Sequence, residues 1–205
     1  GRCPNCGKFG TLVEEITESA APQKAVKRER SVSAKRPVPL SEVKEERYSR
    51  VSSGIAELDT VLGGGIVPGS LVLIGGDPGI GKSTLLTEVS AHLSEKHRVL
   101  YVSAEESCSQ VKMRCSRLKL DSSNLLLLNE TCLEDIEDAI EDEKFVVIDS
   151  IQAVYTSELS SAAGSVGQVR ECAGKLQRIA KGRGITFFIV CLLYTSPSPR
   201  DRTRS

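Results

Sequence analysis

The sequence predicts an α/β fold with a mostly parallel central sheet. Three observations carry that prediction. Five short, apolar, β-rich runs recur after residue 50, at 71–75, 99–103, 125–128, 145–149 and 185–190. Helical patterns lie between most of them: Leu133, Ile136 and Ile140 repeat at helical spacing, as do Val169, Cys172, Leu176 and Ile179. A glycine-rich loop joins the first apolar run to a helix-like run that begins at Leu85. Strands that are apolar along their whole length need cover on both faces, which a parallel sheet between helices provides.

Taken in order, residues 1–16 form a small unit around Cys3-Pro4-Asn5-Cys6-Gly7. Two cysteines at C-x-x-C spacing can turn both sulfurs to one ion, and Gly7 lets the backbone curl. A structural Zn²⁺ takes four ligands, so Cys3 and Cys6 make half a zinc knuckle whose other two ligands are expected to precede this segment. A redox pair is the rival reading, but no strand precedes this one. Residues 17–50 are polar and carry Pro22, Pro37 and Pro39, the composition of a flexible linker. Residues 51–190 are expected to form the globular core. Within it, Thr131-x-x-Glu134 reads as a capping box for the helix pattern of Leu133, Ile136 and Ile140.

From Gly76 to Ser83 the chain fits G-x-x-x-x-G-K-[ST], a phosphate-binding loop. Unpaired amides at a helix N-terminus and the helix dipole favour anions there. The loop Gly76, Asp77, Pro78, Gly79, Ile80, Gly81, Lys82, Ser83 and Thr84 is thus the candidate nucleoside triphosphate site, which the resemblance given below makes an ATP site. Its glycines let amides converge, and Pro78 stiffens it. Lys82 is expected to reach the β- and γ-phosphates and Ser83 to place a hydroxyl on Mg²⁺. The bland alternative, a glycine turn that happens to precede Lys-Ser, does not explain the strand-loop-helix context.

Phe145-Val146-Val147-Ile148-Asp149 is an apolar strand ending in a carboxylate. At the carboxyl edge of a parallel sheet, Asp149 suits a Walker B aspartate that holds Mg²⁺; a strand-end turn cap is the alternative. Tyr101-Val102-Ser103-Ala104-Glu105-Glu106 sets two carboxylates past another strand end. Either could act as general base toward water, or both could be dipole-stabilised helix acids.

Lys+Arg and Asp+Glu number 27 each, so net charge alone predicts no polyanion partner. The charge is unevenly placed: residues 22–50 carry nine basic and four acidic side chains, and residues 121–150 carry ten acidic and one basic. The basic block could meet nucleic acid or be a solvated linker. Trp is absent and aromatics are 4%, so no base-stacking platform is evident. Seven scattered cysteines form no disulfide framework and point to a reducing compartment. The most apolar window, 185–194, is shorter than the ~20 residues a membrane-spanning helix needs.

These residues together resemble the bacterial RadA (Sms) family of recombination ATPases, in the RecA superfamily. The match covers about residues 1–190. It rests on Cys3-Pro4-x-Cys6 followed by Thr11-Leu12-Val13-Glu14-Glu15, on Ser53-Gly54-Ile55-x-Glu57-Leu58-Asp59, and on Leu62-Gly63-Gly64-Gly65-Ile66-Val67-Pro68-Gly69-Ser70. It continues through the phosphate loop, Tyr101 to Ser107, Val147-Ile148-Asp149-Ser150-Ile151-Gln152, and Gly164 to Cys172. The resemblance implies a RecA-like P-loop NTPase core and a DNA-dependent ATPase of homologous recombination and repair. Such motors form homo-hexameric rings on single-stranded or branched DNA, drive branch migration, and work beside a RecA-type recombinase. It also implies that Glu105, the first acid of its pair, activates water, so that Lys82, Glu105 and Asp149 carry the catalysis. It makes 155–168 a pore loop facing DNA, where the residues alone allow an ordinary surface loop. Arg170, Lys175, Arg178, Lys181 and Arg183 could approach phosphates or form a solvated helix face. The implied location is cytoplasmic in a bacterium, or organellar in a eukaryote, without a membrane anchor.

After Val190 the family pattern, a Gly-His-Val-Thr-Lys-like segment, is absent. Residues 191–205 look unrelated and adaptor-like, so a truncated or chimeric chain is expected, also lacking the family's later Lys-Asn-Arg-Phe-Gly motif and Lon-protease-like domain. Two other readings stand beside the repair motor. One is a RecA-fold ATPase of a non-DNA process, similar to the clock protein KaiC. The other is a fragment that binds nucleotide without turning it over.

Overall fold

Five apolar runs with helices between them leave few solutions other than a covered sheet, and the computed structural model has one. It describes residues 37–43 and 49–192. Chain contacts divide the molecule into two units, residues 1–45 and 46–205. In the first, the described residues make a single 3-10 turn at Leu40–Glu42.

The second unit holds β1 (Leu71–Gly76), β2 (Val99–Ser103), β3 (Leu125–Leu128), β4 (Phe145–Asp149) and β5 (Thr186–Leu192). All pairings are parallel, in the order β1-β5-β4-β2-β3. The helices are α1 (Ala56–Val61), α2 (Lys82–Ser94), α3 (Cys108–Arg117), α4 (Leu133–Asp138) and α5 (Val166–Arg183). Side chains alternate between the faces of each strand. Val99, Tyr101, Phe145, Val147, Phe188 and Val190 pack with Leu86, Val89 and Leu93 of α2 and Val111 and Cys115 of α3. Leu100, Val102, Val146, Ile148, Phe187 and Ile189 pack on the other face with Leu133 and Ile136 of α4 and Cys172, Leu176 and Ile179 of α5. The predicted α/β class with a parallel sheet is therefore the observed one.

The sheet order brings an arrangement that the sequence did not show. β5 lies between β1 and β4, so the phosphate loop and Asp149 stand on strands one apart rather than on neighbours. Cys191 and Leu192, read from sequence as part of the tail, complete β5 and pair with Gly75 and Gly76.

The capping box expected at Thr131 and Glu134 is not formed. The N-cap of α4 is Cys132, with no side-chain capping bond. Glu130 accepts the Thr131 and Cys132 amides instead, at 2.6 and 3.0 Å. Glu134 turns to Lys175 of α5, with Nζ 2.8 Å from Oε1, and to the Thr156 hydroxyl. An ammonium and a hydroxyl outcompete a single backbone amide, because charge-assisted hydrogen bonds are about twice as strong as neutral ones.

α1 shows no clear periodicity in sequence and is built from polar anchoring. Asp59 accepts from the Ser52 hydroxyl at 2.6 Å and the Ser53 amide at 2.8 Å. Its carbonyl accepts the amides of Gly64 and Gly65. Arg50 donates to the carbonyls of Leu62 and Gly65 at 2.7 and 2.9 Å. The Ser-Gly-Ile-x-Glu-Leu-Asp and Leu-Gly-Gly-Gly segments thus form one polar clasp leading into β1.

Candidate nucleotide-binding site

β1 ends at Gly76 and α2 starts at Lys82, so the intervening turn must reverse direction tightly. Gly79 and Gly81 make it possible, at φ 79° and 102°, backbone conformations that side chains disfavour. Gly81 is the N-cap of α2, and its carbonyl accepts the first helical bond, from the Leu85 amide at 2.9 Å. The amides of Lys82, Ser83 and Thr84 are left unused by the helix and face outward.

Lys82 is 8% exposed. Its ammonium donates to the carbonyls of Gly76 at 2.8 Å and Asp77 at 2.7 Å. Among the described residues no carboxylate pairs with it. A nearly buried cation beside a helix N-terminus, balanced only by carbonyl dipoles, is an anion site in its electrostatics.

The loop opens on a cleft of about 320 Å³ lined by Pro78, Gly79, Gly81, Lys82, Ser83, Thr84, Glu105, Asp149, Ser150, Val190 and Leu192. The sequence-predicted residues Lys82, Ser83, Glu105 and Asp149 therefore meet in one space. Gly76 and Asp77 stand behind it, supplying the carbonyls that hold Lys82. Ile80 points to solvent at 71% exposure. Cys3 and Cys6 lie outside the described residues.

Glu105 and Glu106 go different ways. Glu105 is exposed, lines the cleft, and accepts a hydrogen bond from the Ser150 hydroxyl. Glu106 pairs with Arg114 of α3 at 2.5 Å. Its backbone is stapled too: the Ser103 hydroxyl donates to its carbonyl at 2.7 Å, and Asn129 donates to the carbonyls of Ser103 and Glu106 at 2.7 and 3.1 Å.

Sequence reasoning missed the residues behind Asp149. The fully buried Tyr101 donates its hydroxyl to Asp149 Oδ2 at 2.6 Å. Burial, and then the neighbouring Asp149 carboxylate, push the Tyr101 phenol far above its ordinary pKa, so it remains a protonated donor. Tyr101 lies within a segment already singled out, and a tyrosine amid a buried apolar strand must find a partner for its hydroxyl. Nothing in the sequence pointed to Arg114.

The basic residues of α5 are mostly committed within the protein. Lys175 binds Glu134 and Glu158 at 2.8 and 2.9 Å. Arg178 binds Glu171 at 3.1 Å, and Arg183 donates to the carbonyls of Ile140 and Glu141. The loop before α5 is anchored by Gln168, which is 1% exposed. Its side chain accepts the Thr156 amide at 2.9 Å and donates to the carbonyls of Thr156, Leu159 and Ser161.

The donor set fits a magnesium nucleoside triphosphate. Free amides and a buried ammonium suit phosphate oxygens, while a hydroxyl and a carboxylate suit a hard divalent cation. The family model described as "AAA domain" matches residues 35–191. The chain belongs to that AAA domain family. Curated relatives of this AAA domain include the DNA repair protein RadA of Halalkalibacterium halodurans, 50% identical over 193 residues. The DNA repair protein RadA of Bacillus subtilis is 49% identical over 194 residues. Each alignment covers 93% of this chain but 42% of the relative, so the chain spans less than half the length of these proteins. Among solved structures, a KaiC-like protein from the archaeon Pyrococcus horikoshii has a TM-score of 0.60, 22% identity and 74% coverage of both chains. That likeness establishes the RecA-like fold of this AAA domain. Among the described residues, no helix is long and apolar enough to cross a membrane.

Proposed function

We propose that this chain is the nucleotide-hydrolysing core of a DNA repair ATPase, using ATP and Mg²⁺. The observation that carries the reading is Lys82: a nearly buried ammonium at a helix N-terminus, without a carboxylate partner among the described residues, facing Asp149 and Glu105 across one cleft. The names of the relatives supply the process, since RadA proteins at 46–50% identity are described as DNA repair proteins. The KaiC-like neighbour speaks for the fold alone, so the non-DNA reading has no separate support.

In this reading the amides of Lys82, Ser83 and Thr84 and the Lys82 ammonium bind and orient the phosphates. Lys82 exchanges its carbonyl partners for phosphate oxygens, gaining the attraction of a full negative charge in place of a carbonyl dipole. The Ser83 hydroxyl and the Asp149 carboxylate hold Mg²⁺, whose charge offsets that developing on the phosphates. Glu105 is steadied through Oε1 by Ser150, which leaves Oε2 to orient water and take its proton. Val190 and Leu192 form the apolar flank of the cleft and limit bulk water there.

The rest of the reading concerns the longer protein: a homo-hexameric ring on single-stranded or branched DNA that drives branch migration beside a RecA-type recombinase. Lys175, Arg178 and Arg183 are already paired or bonded within the protein, so α5 offers DNA little free charge beyond Arg170 and Lys181.

The test is steady-state ATP turnover with and without single-stranded DNA, over a range of protein concentrations, in this chain and in a full-length relative. Lys82→Ala should weaken nucleotide binding roughly 10–100-fold. Glu105→Gln should keep binding and lose about 10²–10⁴ in turnover, the usual worth of a general base. Turnover in the full-length protein that ignores DNA would reject the DNA motor. A rate per chain that rises with concentration would reject an inactive-fragment reading.

A further inference from the structure

The three parts of the cleft sit on three separate elements. Ser83 is on α2, Asp149 ends β4, and Glu105 follows β2. One side chain is linked to all three through a single intermediate residue each. Arg114 projects from α3 and is 10% exposed. Its Nε donates to Thr87 Oγ1 at 3.0 Å, and that hydroxyl donates to the Ser83 carbonyl at 2.7 Å. Its Nη2 donates to the Tyr101 hydroxyl at 3.2 Å, and Tyr101 donates to Asp149 Oδ2 at 2.6 Å. Its Nη1 binds Glu106 Oε2, next to Glu105.

We infer that Arg114 and Tyr101 are positioning residues that hold the Ser83 and Asp149 magnesium ligands in register, with Arg114 as hub and Tyr101 as its arm to Asp149.

The inference rests on the ATP and Mg²⁺ reading above. Its physical basis is the planar guanidinium, whose donors point in fixed directions and so fix the relative placement of their acceptors. Tyr101 occupies Oδ2 of Asp149, while Oδ1 has no hydrogen-bonding partner among the described residues. The carboxylate is thereby clamped on one oxygen with the other left for a cation. Groups that orient metal ligands in this way typically change metal affinity about 10–100-fold when lost. A purely structural Arg114 would tie α3 to the core and affect folding, not the response to metal.

Tyr101→Phe removes one oxygen from a buried ring and keeps its packing. Arg114→Met keeps much of the stem and removes the donors. Binding of a fluorescent ADP analogue to the full chain is titrated with Mg²⁺, and separately in EDTA. The electron paramagnetic resonance spectrum of Mn²⁺ in the nucleotide complex reports the ligand geometry. Tyr101→Phe should raise the Mg²⁺ needed for half-maximal tightening about tenfold and alter the Mn²⁺ spectrum, with affinity in EDTA unchanged. Arg114→Met should do at least as much, and the double variant should be no worse than Arg114→Met alone. If Arg114→Met does not fold, Tyr101→Phe decides by itself. A Mg²⁺ requirement and Mn²⁺ spectrum unchanged in Tyr101→Phe would overturn the inference. So would equal weakening with and without metal. Wild-type protein that binds no nucleotide, or binds it without response to Mg²⁺, would instead refute the nucleotide-site reading beneath it.

Discussion

Lys82 illustrates how a single residue can be stable only in its own setting. Its ammonium is nearly buried, yet its partners are two carbonyls of the loop it belongs to. Bonds to a charged group contribute about 1.5–3 kcal/mol each, so Lys82→Ala should weaken triphosphate binding roughly 10–100-fold. Nucleotide titration, with circular dichroism to verify the fold, measures this. Gly81 is a contrasting case. A Cβ there would meet nothing within 4 Å, so crowding is no obstacle. The cost lies in the backbone, at φ 102°, where a non-glycine residue is disfavoured by about 1–2 kcal/mol. Gly81→Ala should therefore reshape the loop and weaken phosphate binding without collapsing the protein. A fall in nucleotide affinity with a small change in denaturation midpoint would bear this out.

Between elements, the polar network joining α4, α5 and the preceding loop makes two measurable claims. Partial burial of Glu134 tends to raise its pKa, but donation from Lys175, Thr156 and the Ser157 amide outweighs this and holds it well below its ordinary value near 4.5. A depressed carboxyl stabilises the fold above its unfolded-state pKa and loses that contribution as pH falls toward the folded-state value. Wild type should thus be more stable than Glu134→Gln at pH 7. Below about pH 4.5 the gap should narrow progressively, and urea unfolding at several pH values tests it. A gap that stays constant with pH would contradict the argument. Gln168 makes the second claim. Gln168→Leu would strip partners from one amide and three carbonyls of the 156–161 turn, and a buried polar group without a partner costs about 1–3 kcal/mol. The loop should then open to water, at a total cost below the sum, and become sensitive to proteolysis and hydrogen exchange while α5 stays protected.

For the whole molecule, stability depends on a sheet packed on both faces, and β5 runs through its interior beside β1. Phe188 is fully buried against the α2 and α3 layer. Phe188→Ala should cost about 3–5 kcal/mol, a large share of the ~5–15 kcal/mol that stabilises a typical domain. Thermal and denaturant unfolding would register it, with nucleotide partly restoring stability by mass action. At this scale it is also clear how much was legible beforehand. The five strands were readable because burial on both faces demands continuous apolar runs. The strand-turn-helix at Gly76 to Ser83 was readable because its glycine spacing lies within one stretch of chain. Asp149 was readable because a strand end is a local feature. The choice between Glu105 and Glu106, by contrast, came only from family resemblance, since adjacent acids differ by what they meet in space. The capping box at Glu134 failed for the same reason: a lysine 41 residues away claimed the carboxylate. By itself, then, the chain's order of residues determined its fold class, its glycine-rich turn into α2 and the ends of its strands, all of which depend on neighbours in sequence. Tertiary structure alone decided that β5 would separate β1 from β4, that Glu106 would pair with Arg114, and that Tyr101 would grip Asp149. Those choices turn on hydrogen bonds that join different elements of the fold, and only packing brings their donors and acceptors within reach.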